Sequence, residues 1–136
     1  MEIIDSPSAM ANALATFQDP WLKRRLSDYR DRLSEADCDV GELGPVIVVD
    51  AGDTLLAIEQ AANLSLSDAP EYCDHRNGGA ELAYVTDDYG AGMVLLVPDL
   101  HNIDPALLAI VRAHARTAFL HHDHADQPKG QREQRP

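Results

Sequence analysis

The sequence predicts an α+β or small α/β domain in which helices pack a three-stranded mixed sheet. The expected order is helix-helix-strand-helix-strand-strand-helix. Three observations lead there. Val46-Ile47-Val48-Val49 is an unbroken β-branched run. It suits a central strand covered on both faces, because a half-exposed strand would alternate. Residues 81–86 (ELAYVT) and 92–97 (GMVLLV) flank Asp87-Asp88-Tyr89-Gly90, and a Gly-bearing turn between apolar runs is the pattern of a β-hairpin. The other apolar residues recur mainly at helical spacing.

Taken in order, residues 8–18 place Met10, Leu14 and Phe17 on one side of a short helix. Asp19-Pro20 ends it and opens the next, since Asp is a good N-cap and proline's missing N–H costs nothing at the first helical position. The second helix, residues 20–36, carries Trp21, Leu22, the Arg25 stem, Leu26, Tyr29 and Leu33 as its stripe. Arg24, Asp28 and Arg32 stand at i, i+4 spacing on its outer face. Residues 37–44 (DCDVGELG) read as a loop, without periodicity and rich in Gly and Asp.

After the first strand, Asp50-Ala51-Gly52-Asp53 turns the chain and Asp53 or Thr54 caps a helix. Leu55, Ile58, Ala61 and Ala62 face the core, and Asn63 suits a left-handed C-cap. Residues 65–80 read as a long connection of mixed polarity, with Asn77-Gly78-Gly79 as its strongest turn signal. A connection of that length in a small domain is functional or mobile. Asp104-Pro105 repeats the capping pair and opens a helix to about His121, with Leu107, Leu108, Val111, Ala115, Ala118 and Phe119 buried. The first two strands, joined through a helix, are expected to run parallel if they are neighbours. Residues 1–123 form one globular domain, and 124–136, polar with Pro and Gly, a disordered tail.

The chain has 136 residues and 45% hydrophobic content, enough to fold without disulfides or a metal. Aromatics are 5%, which leaves a core of Leu, Val, Ile and Ala and argues against a base-stacking platform. No apolar run approaches a membrane span. The start lacks the charged and apolar regions of a signal peptide, and Cys38 and Cys73 do not make a disulfide framework. A cytoplasmic location is expected. The net charge is −12 and is uneven: residues 37–104 hold 14 acids against one base, Arg76. Such a field repels nucleic acid and anionic membrane and attracts basic proteins and cations. It outweighs Lys23-Arg24-Arg25, which read as a solvated helix face.

Asp50-Ala51-Gly52-Asp53-Thr54-Leu55, after an apolar strand, is similar over six residues to the nucleophile loop of haloacid-dehalogenase-type phosphatases. That resemblance would imply two carboxylates facing one phosphoryl group and one Mg²⁺. Here the second Asp follows the first by three positions rather than two, which breaks that geometry. A strand end followed by a helix cap accounts for every residue. Cys73-Asp74-His75, with Cys38 and His101 elsewhere, lacks the paired spacing of a zinc site. A thiol nucleophile beside His75 would need a productive hydrogen bond that adjacent-but-one residues do not by themselves supply. His121, His122 and His124 collect near a helix C-terminus, where imidazolium interacts favourably with the dipole, and His114, seven residues before His121, reads as a residue at the rim of the core. No metal and no cofactor is expected.

The remaining signal is the acidic set. Asp37, Asp39, Glu42, Asp68, Glu71, Asp74, Asp87, Asp88, Asp99 and Asp104 all fall in expected loops or strand ends, where binding residues tend to sit. The expectation is a non-enzymatic binding protein whose carboxylates engage a basic protein partner. Asp68, Glu71, Asp74, Asp87, Asp88, Asp99 and Asp104 are its contact residues, and inhibitor or nucleic-acid-mimic roles fit. The alternatives are a homo-oligomeric module using the Leu22–Leu26–Tyr29–Leu33 face, and a metal- or thiol-dependent enzyme.

Overall fold

The structure is a computed structural model that describes residues 1–38, 40–68, 70–76, 78–85 and 92–114. The chain runs through β1 (Glu2–Ile4), α1 (Pro7–Thr16), α2 (Pro20–Glu35), α3 (Val40–Leu43), β2 (Val46–Val48), α4 (Leu55–Ala62), β3 (Tyr72–Arg76), β4 (Gly79–Val85) and β5 (Gly92–Val97). Residues 105–114 are helical. The strands form one sheet in the order β1-β2-β5-β4-β3. Only the β2–β5 pair is parallel.

The helix boundaries follow the local chemistry of their ends. Asp19 Oδ1 accepts from the amides of Trp21 at 2.9 Å and Leu22 at 3.3 Å, with Pro20 as the first helical residue of α2. Ser6 and Thr54 accept in the same way at the starts of α1 and α4. Asn63 closes α4 in the left-handed region at φ 57°. Each device satisfies backbone groups that a helix end leaves unpaired.

Helices cover both faces of the sheet. On one, Val46, Val48, Val94, Leu96 and Ile4 meet Met10 and Ala13 of α1, Leu22, Leu26 and Leu33 of α2, and Val40. On the other, Ile47, Leu82, Tyr84 and Leu95 meet Ile58 of α4 and Leu107 and Val111 of the 105–114 helix. Every residue of β2 is buried, as expected for a strand buried on both faces. The Tyr84 hydroxyl donates to the Leu66 carbonyl at 2.9 Å and so anchors the α4–β3 connection. Where the chain enters β2 it crosses the start of β5. Gly44 has φ +130° there, and a Cβ on it would lie 1.6 Å from the Gly92 carbonyl oxygen.

Several expectations are corrected. The sheet has five strands, not three, so the expected element order fails at β1 and β3. β1 offers only Ile3-Ile4 as an apolar signal and is held by pairing with β2, where Ile3 faces Ile47 in register. β3 (YCDHR) is too polar to show a strand pattern and exists because it pairs with β4 from Tyr72↔Ala83 to Arg76↔Gly79. The stretch read as a loop at 37–44 contains α3. The parallel partner of β2 is β5, not the strand that begins the hairpin. Leu22, Leu26 and Leu33 of the expected α2 face are buried against the sheet, so they are packed into the core. The hairpin turn with Asp87 and Asp88, the helix beyond 114, and the expected domain end at 123 with its tail lie outside the described residues. No helix among the described residues is long and apolar enough to cross a membrane.

Candidate functional site

Two parallel neighbours deliver their carboxyl ends to the same end of the sheet. In open α/β sheets that is where ligand-contacting loops gather. β2 leads into Asp50–Thr54, and β5 into the loop of residues 98–104. β1 runs antiparallel to β2, so it begins at this end as well. Three separate stretches thereby bring Glu2, Asp50, Asp53, Asp99 and Asp104 to one rim. Arg76, the last residue of β3, reaches the same end of the sheet, opposite Gly79.

The rim is ordered by its own hydrogen bonds. Asp53 Oδ2 accepts from the Asp50 amide at 2.8 Å, which closes the turn after β2. The Met1 amino group lies 3.1 Å from Asp50 Oδ2 and 3.0 Å from Asp53 Oδ2. Those two carboxylates raise its pKa, Asp53 most. Asp50 and Asp53 thus both pair with the Met1 amino group. Asp104 bridges two helix starts: Oδ2 accepts from Leu55 N at 2.8 Å and Oδ1 from Ala106 N at 3.0 Å. These two backbone bonds, the one from Leu55 foremost, hold its carboxyl below the usual range. Asp99 accepts from the His101 amide at 3.0 Å, and the loop docks on the β3–β4 turn through Leu100 N to Gly78 O at 2.7 Å.

A second polar cluster lies where α2 crosses β3 and β4. Arg25 donates from Nη2 to Asp74 Oδ2 at 2.9 Å and from Nη1 to Glu81 Oε1 at 3.2 Å. Asp74 and Glu81 are register partners on neighbouring strands, so both carboxylates face α2. The guanidinium lies over the Trp21 ring, 5.8 Å from its centroid. Glu81 is the only charged residue buried among the described residues. This cluster ties the edge strand to the helix layer and is a structural clamp.

The acidic residues expected to act together are thus separated. Asp99 and Asp104 lie on the rim, Asp74 is turned to Arg25, and Asp68 and Glu71 are exposed at the opposite end of the sheet. Asp87 and Asp88 lie outside the described residues. Asp50 and Asp53, read from sequence as a turn and a cap, belong to the rim. The signal for them was their place directly after the most buried strand.

The catalytic alternatives gain little from this geometry. The Cys73 thiol is buried, and burial, aided by the charge of Asp74, pushes its pKa up to about 11. That suppresses the thiolate a nucleophile needs. Among the described residues no group of three or more His, Cys, Asp or Glu side chains is placed to hold a metal ion. His121, His122 and His124 lie outside them. Comparison with known proteins returns no match: no family model, no curated protein and no solved structure matches the chain.

Proposed function

We propose that this chain is a small non-enzymatic binding protein, acting in the cytoplasm, whose carboxylate rim engages a basic protein partner as an inhibitor or accessory factor of the nucleic-acid-mimic kind. The observation that carries the reading is the convergence of Glu2, Asp50, Asp53, Asp99 and Asp104 from three stretches onto one end of the sheet. The local hydrogen bonds of Asp53, Asp99 and Asp104 fix the spacing of their carboxylates before a partner arrives, and preorganisation of this kind lowers the ordering cost of binding. Facing charges of opposite sign would speed association and make it salt-sensitive.

The test captures basic proteins on the immobilised chain and elutes them with salt. A variant carrying Glu2→Gln, Asp50→Asn and Asp99→Asn removes three exposed charges while keeping the amide-accepting oxygens. Exposed pairs contribute about 0.2–1 kcal/mol each, so partner affinity should fall about tenfold. An Asp31→Asn/Glu35→Gln variant on α2 should bind as the wild type does. Equal retention by the rim variant and the wild type would refute the assignment.

A further inference from the structure

Between α1 and the C-terminal half of α2 lies an open cleft of about 280 Å³. Its cause is local. α1 offers Ala11 and α2 offers Ser34 at the mouth, and side chains this small do not fill the space between two helices. The floor is Met10, Leu33 and Val40, all buried. Arg30 stands at the rim. Its contacts to Ser27 Oγ at 3.2 Å and Asp31 Oδ1 at 3.3 Å are exposed, and exposed pairs of this type are weak and replaceable.

We propose that this cleft binds a small amphiphilic carboxylate, such as a medium-chain fatty acid. Its chain lies on Met10, Leu33 and Val40, and its carboxylate pairs with Arg30. An apolar floor with one charged group at the mouth is the usual composition of a small-ligand site. The sign of the charge selects the ligand. Arg30 favours an anionic head and repels a cationic one, whereas most of this surface does the opposite. Guanidinium also presents paired donors that match a carboxylate. Methionine on the floor adapts to chains of different length. The site is on the helical face away from the rim and stands independently of the partner reading.

Cys38 borders the cleft and is half-buried, which supplies a built-in reporter. Octanoate is the probe. It should slow alkylation of Cys38 by iodoacetamide and shift the backbone NMR signals of Met10, Cys38 and Val40. Arg30→Gln should weaken octanoate about fivefold, the worth of one exposed charge pair, and leave octanol binding unchanged. Ala11→Met, an exposed helical position given a good helix former, should fill the cleft and abolish protection by both probes while thermal unfolding stays cooperative. Ser34→Leu blocks the same space from the other helix if the first variant folds poorly. Three results would overturn the proposal: no protection at millimolar octanoate, protection that survives both filling variants, or equal loss of octanoate and octanol in Arg30→Gln.

Discussion

Replacing Arg25 with methionine should destabilise the fold by about 2–3 kcal/mol, just below the roughly 3–5 kcal/mol typical of breaking a fully buried ion pair. The Glu81 side chain is 4% exposed, and Arg25 Nη1 lies 3.2 Å from it. At an effective dielectric constant near 20, attraction at that separation is about 5 kcal/mol, and desolvation of the charged groups offsets most of it. Removing only the cation takes away that attraction while the Glu81 carboxylate stays buried. Arg25 and Asp74 are each about a quarter exposed (24% and 25%), so water relieves one flank, which places the loss below that of a fully enclosed pair. Methionine keeps an apolar stem against Trp21 and limits the packing loss. Urea unfolding is the assay. With a slope of about 1–3 kcal/mol/M, the midpoint should fall by roughly 1–2 M. Adding Asp74→Asn and Glu81→Gln to Arg25→Met should recover part of the loss, with a coupling above about 1 kcal/mol. A loss under about 0.5 kcal/mol, typical of an ordinary surface change, would refute the clamp. So would a triple variant as unstable as the sum of its parts.

Three further outcomes follow from other sites. The lowered pKa of Asp104 means that its stabilisation is present above the ordinary aspartate range, about 4, and is lost as pH falls through the lower folded value. Asp104→Asn should therefore flatten the acid limb of a thermal-stability profile, and an unchanged limb would remove its double-capping role. Cys73 carries the opposite sign. Its stability contribution is complete below its ordinary value of 9.0 and is lost as pH rises toward about 11. At neutral pH iodoacetamide should label Cys38 and spare Cys73, and equal labelling read by mass spectrometry would contradict the burial. Gly44→Ala should cost more than about 4 kcal/mol, because its φ of +130° and its approach to the Gly92 carbonyl both exclude a Cβ. A cooperative melt near the wild-type temperature would refute that contact.

The sequence by itself determined those elements whose signals are local. Asp19-Pro20, Thr54 and Asn63 mark helix ends through bonds to amides a few residues away, and the structure has its caps at those residues. The run Val46 to Val49 is apolar throughout, so a strand buried on both faces was legible without its partners. The antiparallel pairing of β4 with β5 followed from two apolar runs and the turn residues between them. Tertiary structure alone decided the rest. β1 has two apolar residues and β3 has a charged, polar sequence, and each becomes a strand only because a neighbour accepts its backbone bonds. The pairing of β2 with β5 joins segments more than forty residues apart, which periodicity cannot express. The grouping of the carboxylates was hidden for the same reason. Net charge adds along the chain regardless of position, but whether two carboxylates share a rim depends on strand direction. Asp50 and Asp104 lie at one end of the sheet because β2 and β5 run parallel and end together, while Asp74 turns to Arg25 because an edge strand passes under α2.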